Sequence, residues 1–177
     1  MKILITYFSQ TGNTEKVAKS IGEGISGENP IIKKINDVDV NSLADYDLIF
    51  LGTPVHGNSL PKVAKKFLKA CPENAPYKFA LFSTHGTPGT HEKTAASGLF
   101  KSATKILTKS NISAVETFSC LGELKNEQVI EMLKTAMPDQ VDDILQGGKD
   151  HPNDTDLANA KEFGKNVIEK LSAKAEL

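Results

Sequence analysis

The stretch Ile3-Leu4-Ile5-Thr6-Tyr7-Phe8-Ser9-Gln10-Thr11-Gly12-Asn13-Thr14 begins as an apolar run and breaks into a turn of hydroxyl and amide residues. Val17, Ala18, Ile21 and Ile25 follow at helical spacing, so the segment reads as strand, turn and helix. A helix N-terminus carries unpaired N–H groups and the positive end of the macrodipole, which suits this turn to an anion. Gly12 lets the backbone approach a ligand closely, while Ser9, Thr11 and Thr14 bring hydroxyl donors for phosphate oxygens. The turn lacks the Lys-Ser/Thr pair behind a second glycine that a nucleoside triphosphate needs, and it lacks the dinucleotide glycine pattern. A terminal phosphate monoester, held without magnesium or any other metal, is what remains. A turn that only caps its own helix has much the same composition, so the rest of the chain has to decide.

At 177 residues, 39% hydrophobic and 24% charged, the chain suits a single domain over 1–177 with a sizeable core. No apolar run is long enough for a membrane span, and the first residues lack the charge and apolar pattern of a signal peptide. The expectation is therefore a cytoplasmic protein without membrane insertion. Cys71 and Cys120 stand far apart, which predicts two free thiols. The net charge of −1 hides an uneven distribution: residues 61–110 hold nine Lys against Glu73 and Glu92, whereas residues 123–156 hold nine acidic residues against three Lys. Every basic residue is Lys and Trp is absent, which argues against nucleic-acid recognition.

Short apolar runs recur between helical patterns. Residues 30–35, 47–51, 78–82 and 114–120 read as further strands; Val63, Ala64, Phe67 and Leu68 mark one helix, and Leu99, Ala103, Ile106 and Leu107 another. Alternation of this kind predicts an α/β parallel sheet covered on both faces, with ligands bound beyond the carboxyl ends of the strands. Two more strand ends carry loops of matching chemistry. The first is Gly52-Thr53-Pro54-Val55-His56-Gly57-Asn58-Ser59, with Pro61 read as the first helical residue; the second is Ser83-Thr84-His85-Gly86-Thr87-Pro88-Gly89-Thr90-His91. Three such rims side by side would clamp a flat ligand with a phosphate tail. A receiver domain shares the alternation but needs acidic residues after the first strand and an aspartate after the third, where this chain has Ser9-Gln10-Thr11 and Gly52-Thr53-Pro54.

Ser9-Gln10-Thr11-Gly12-Asn13-Thr14, directly after the first strand, resembles the FMN-phosphate loop of the flavodoxins. The likeness extends over about the first 120 residues. It implies a doubly wound five-stranded parallel sheet in the order 2-1-3-4-5, FMN as cofactor, and no catalytic side chain of the protein's own. It also implies a carrier that moves electrons between redox partner proteins, a reductase or ferredoxin-dependent enzymes, as a monomer rather than a tetramer. Carried over residue by residue, the cofactor contacts are Ser9, Gln10, Thr11, Gly12, Asn13 and Thr14 at the phosphate, then Thr53, Pro54, Val55, His56, Gly57 and Asn58, and then Ser83, Thr84, His85, Gly86, Thr87 and Gly89. The Gly57–Asn58 peptide matches the one that turns its carbonyl toward the flavin in the family, and a glycine makes that turn at little strain.

The chain also departs from the family. Neither flavin loop contains Tyr or Phe, so His56 takes the place of the inner aromatic, with His85 or His91 toward the other side; the lysine-rich middle replaces an acidic flavin edge. Two short helices over 129–137 and 141–145, a loop starting at Gly147-Gly148, and a closing helix signalled by Asn153 and Asp156 complete the chain. Residues 123–150 are thus a helical excursion before the last helix. The surroundings of His151 and Pro152 also resemble flavodoxin-like NAD(P)H:quinone oxidoreductases, which transfer two electrons through FMN; this is the alternative reading. His151 with Asp154 or Asp156 as an acid-base pair is weaker, since carboxylates at a helix start serve the dipole.

Overall fold

A computed structural model describes residues 1–57, 59–86, 88 and 94–175. Its five strands are β1 (Ile3–Tyr7), β2 (Ile31–Lys34), β3 (Leu48–Pro54), β4 (Lys78–His85) and β5 (Ala114–Leu121). They form one sheet in the order β2-β1-β3-β4-β5 with every neighbouring pair parallel, the doubly wound order expected above. The helices are α1 (Asn13–Gly24), α2 (Lys62–Ala70), α3 (Ser97–Lys109), α4 (Glu127–Ala136), α5 (Val141–Gly148) and α6 (Asp154–Ala175). Two short 3-10 stretches, Ile35–Asp37 and Val40–Asp45, carry the chain from β2 to β3 where the other crossovers use α-helices.

Side chains alternate across the sheet and so divide the core in two. Ile3, Ile5, Leu48, Phe50, Ala80 and Phe82 point to the layer of α1 and α6, where they meet Val17, Ile21, Phe163 and Val167. Leu4, Ile49, Leu51, Phe79 and Leu81 point to the layer of α2 and α3, where they meet Phe67, Leu68, Leu99, Ala103 and Leu107. The central strands read as unbroken apolar runs because they are buried on both faces. At one edge, all four residues of β2 are exposed and end in Lys33 and Lys34. Cys71 and Cys120 are buried thiols outside any disulfide among the described residues, as expected.

Several boundaries differ from the sequence reading. Strands β3 and β4 run through Pro54 and His85, past the expected ends at Leu51 and Phe82, because Thr53 pairs with Ser83 and Pro54 with Thr84 in the parallel ladder. The Gly147-Gly148 pair closes α5 and does not start a loop: Gly148 is buried, and a Cβ on Gly147 would stand 2.8 Å from the ring of Pro88. Pro61 is the residue before α2, its carbonyl accepting the Lys65 N–H at 2.9 Å, while Lys62 is the first helical residue. The closing helix starts as read. Asn153 Oδ1 accepts from the Thr155 and Asp156 N–H groups, and Asp156 Oδ2 accepts from the Asn153 N–H. Among the described residues no helix is long and apolar enough to cross a membrane.

Candidate functional site

The carboxyl ends of β1, β3, β4 and β5 open onto a cleft of about 360 Å³. Its first wall is the turn between β1 and α1. Gly12 sits at φ +92°, a conformation that glycine enters without the steric penalty of a Cβ, and the chain thereby turns straight into α1. The Gly12 N–H donates to Ser9 Oγ at 3.1 Å. No side chain caps the first turn of α1, so the N–H groups at that end are left to water or to a ligand. Gln10 and Thr11 are exposed beside them. Glu15, the acidic residue of that turn, is tied to Lys19 at 2.7 Å, and this hydrogen bond lowers its carboxyl below the usual range.

Asn13 and Thr14 face inward. Asn13 Nδ2 donates to the Glu123 carbonyl at 2.8 Å, whereas its Oδ1 is buried with no hydrogen-bond partner among the described residues. The Thr14 and Thr84 hydroxyls share a buried hydrogen bond of 2.9 Å, which ties the turn to the end of β4. Thr14 is thus already engaged with protein, unlike Thr11.

Pro54, Val55, His56 and Gly57 form the second wall. The Val55 N–H donates to the Thr84 carbonyl at 2.8 Å, extending the ladder beyond the strand. The chain then turns tightly: the His56 carbonyl accepts both the Ser59 N–H at 3.0 Å and the Ser59 hydroxyl at 2.8 Å. Gly57 adopts φ +53°, and a Cβ there would meet open space. The exposed His56 ring stands edge-on to Phe8, with centroids 6.2 Å apart. Thr84, His85 and Gly86 supply the third wall; the His85 carbonyl accepts the Gly122 N–H at 2.9 Å.

Of the expected contacts, Gly12 shapes the first turn without itself lining the cleft, and two more lie elsewhere. Ser83 Oγ donates to the Thr53 carbonyl at 2.8 Å, and both residues are buried within the sheet, outside the cleft lining. Asn58, Thr87, Gly89 and His91 lie outside the described residues.

The fourth wall was not anticipated. Gly122, Glu123, Leu124, Lys125 and Asn126 line the cleft, and Val129 and Met132 extend it along α4. The Glu123 peptide is held from both sides, its N–H donating to the His151 carbonyl at 2.7 Å and its carbonyl accepting from Asn13. Asn126 caps α4 by accepting the Val129 N–H at 3.1 Å. A glycine directly after the strand, Gly122 like Gly86, was the available sign. Glu123 and Lys125, the only charged residues among the described lining, pair with each other at 2.8 Å. His151 does not line the cleft; its Nδ1 lies 2.5 Å from Asp156 Oδ2 at the start of α6, which places this pair in a helix cap.

Fold and cleft together define a class: a doubly wound α/β protein with an open cleft, whose two charged lining residues pair with each other, at the switch between β1 and β3, headed by a bare helix N-terminus. Comparison with known proteins narrows it. A family model described as a flavodoxin domain matches residues 4–165, and the chain belongs to the flavodoxin family. The flavodoxin-like domain-containing protein BilS of Clostridioides difficile (strain CD3) is 31% identical over 188 residues, spanning 97% of this chain and 99% of that protein. A flavodoxin of Clostridium beijerinckii is 38% identical over 58 residues, 32% of this chain and 42% of that one. The crystal structure of oxidised flavodoxin 2 from Bacillus cereus superposes with a TM-score of 0.65 at 23% identity, covering 96% of this chain and 99% of that chain. Proteins of this family bind flavin, usually FMN, and transfer electrons to partner proteins.

Proposed function

We propose that the chain, acting as one domain over 1–177 with a helical excursion at 123–150, is a monomeric cytoplasmic FMN protein that carries electrons between redox partner proteins. The observation that carries this reading is the uncapped first turn of α1 behind Gly12 at the mouth of the cleft. Asn13 adds a second sign of fit, since its buried Oδ1 lacks a donor and a ribityl hydroxyl would supply one. FMN bound there would supply one- and two-electron chemistry.

In this reading the phosphate is held by Ser9, Gln10, Thr11, Gly12 and Asn13, with Thr14 fixing the turn from behind. Pro54, Val55, His56, Gly57 and Asn58 border one side of the ring; Thr84, His85, Gly86, Thr87 and Gly89 border the other. Thr53 and Ser83 act by fixing these strand ends. Gly57 at positive φ leaves the Gly57–Asn58 peptide free to turn its carbonyl toward or away from the cleft at low strain. Leu124, Val129 and Met132 exclude water from the remaining edge.

The same apolar wall favours one alternative, a two-electron NAD(P)H:quinone oxidoreductase in which it receives a second planar ligand. Titration of the purified protein with FMN, followed by potentiometry, decides among the readings. A tight complex that titrates in two separate one-electron steps and is not reduced by NADH supports the carrier. Rapid bleaching by NADH in a single two-electron step supports the reductase, and failure to bind FMN removes both.

A further inference from the structure

Helices α2 and α3 pack side by side over one face of the sheet with their apolar sides inward, Ala64, Phe67 and Leu68 against Leu99, Ala103 and Leu107. Their outer surface carries Lys62, Lys65, Lys66 and Lys69 on α2 and Lys101 and Lys105 on α3, all exposed. The spacing of the α2 lysines places them along one stripe of the helix. None of the six makes an ion pair among the described residues, in contrast to Lys19, Lys134, Lys161 and Lys170, each held at 2.7 Å from a carboxylate. Glu73 is the only acidic residue described between 61 and 110.

The position of this stripe matters as much as its charge. α2 starts directly after the His56–Ser59 turn that forms one lip of the cleft, so Lys62 stands next to that lip and Lys69 about 10 Å further along the helix. We propose that the α2–α3 lysine face is the docking surface for an electron-transfer partner whose own surface is acidic. This inference rests on the carrier reading and specifies its partner's chemistry. Positive charge without an ion-pair partner among the described residues, next to the lip, would draw an acidic patch into register with it and hold the cleft mouth toward the partner. A membrane fits less well, because the helix shows no exposed large apolar side chain to insert; among the described residues the exposed ones are Met1, Ile31, Ile32 and Met132. Nucleic acid fits less well because the patch has neither Arg nor an exposed aromatic residue.

Binding to immobilised probe proteins tests the proposal, whether or not the cleft holds FMN. The probes are an acidic ferredoxin, acidic cytochrome b5 and basic cytochrome c, each at low and at physiological salt. The double reversal Lys62→Glu/Lys66→Glu is compared with Lys33→Glu/Lys165→Glu, which changes net charge equally on β2 and α6, and circular dichroism confirms that both variants fold. The expected result is preferential binding of at least one acidic probe, weakened about tenfold by salt and about tenfold or more by the α2 reversal, with the control close to wild type. Preference for cytochrome c, no binding to either acidic probe, or equal loss in both variants overturns it. Stronger binding to phosphatidylserine vesicles or single-stranded DNA than to the acidic probes, lost in the α2 reversal, also overturns it and assigns the face to that ligand. FMN titration of the same variants keeps a failure of the cofactor reading separate from a failure of the docking surface.

Discussion

Gly52 and Gly57 stand close together at one strand end and are glycine for different reasons. A Cβ on Gly52 would lie 2.1 Å from the ring of Phe82 in the middle of the sheet, whereas a Cβ on Gly57 would meet nothing but its own backbone penalty at positive φ. Gly52→Ala should therefore lower stability by about 3 kcal/mol or prevent folding, and Gly57→Ala by about 1 kcal/mol. Urea unfolding of the two variants checks the contrast. Thr11 and Thr14 divide in a similar way. Thr14→Val leaves the Thr84 hydroxyl buried without its partner and should destabilise the fold by roughly 1–2 kcal/mol. Thr11→Ala removes an exposed hydroxyl, so stability should hold while FMN affinity falls about tenfold, a loss of roughly 1.4 kcal/mol. If Thr11→Ala leaves the dissociation constant unchanged in an FMN titration, the assignment of Thr11 to the phosphate is lost.

At the scale of elements, the central strands were legible in the sequence because burial on both faces leaves nearly unbroken apolar runs in β1, β3 and β4. The ends of β3 and β4 were not. Thr53, Ser83 and Thr84 look like loop residues by composition, yet they continue the ladder, and a hydroxyl that answers a neighbouring strand's carbonyl cannot be told from one that awaits a ligand. The wall at 122–132 was equally opaque, because it depends on contacts between distant segments. Asn13 is central to that wall, since its amide holds the Glu123 carbonyl. Asn13→Ala should raise amide exchange over residues 122–132 about tenfold while β1, β3 and β4 keep their protection, which hydrogen-exchange mass spectrometry would resolve. Equal exchange in both proteins would mean that the wall is held by other contacts.

For the whole molecule, stability should fall in alkali before the surface charges titrate fully. Burial pushes up both the Cys71 thiol and the Tyr77 hydroxyl, two groups at the α2–β4 connection. Each keeps its proton in the folded state at a pH where the unfolded chain has released it. Their contribution is therefore complete below the unfolded values of about 8.5 and 10 and is lost as pH rises toward the folded ones. Urea midpoints measured from pH 7 to 11 should decline above about pH 8.5, and the Cys71→Ala variant should show a shallower decline. A flat profile would show that neither group is kept neutral by the fold.

Asn13 and Glu123 lie 110 positions apart, and their hydrogen bond joins the first turn of the chain to the wall that follows the last strand. During synthesis the β1–α1 turn leaves the ribosome early, but its opposing side appears only after all five strands have emerged. A nascent fragment can therefore present the turn but cannot enclose a ligand, so under the proposed function FMN capture would wait for the near-complete chain. Flavin scarcity would then leave behind finished, refillable apoprotein in place of stalled fragments.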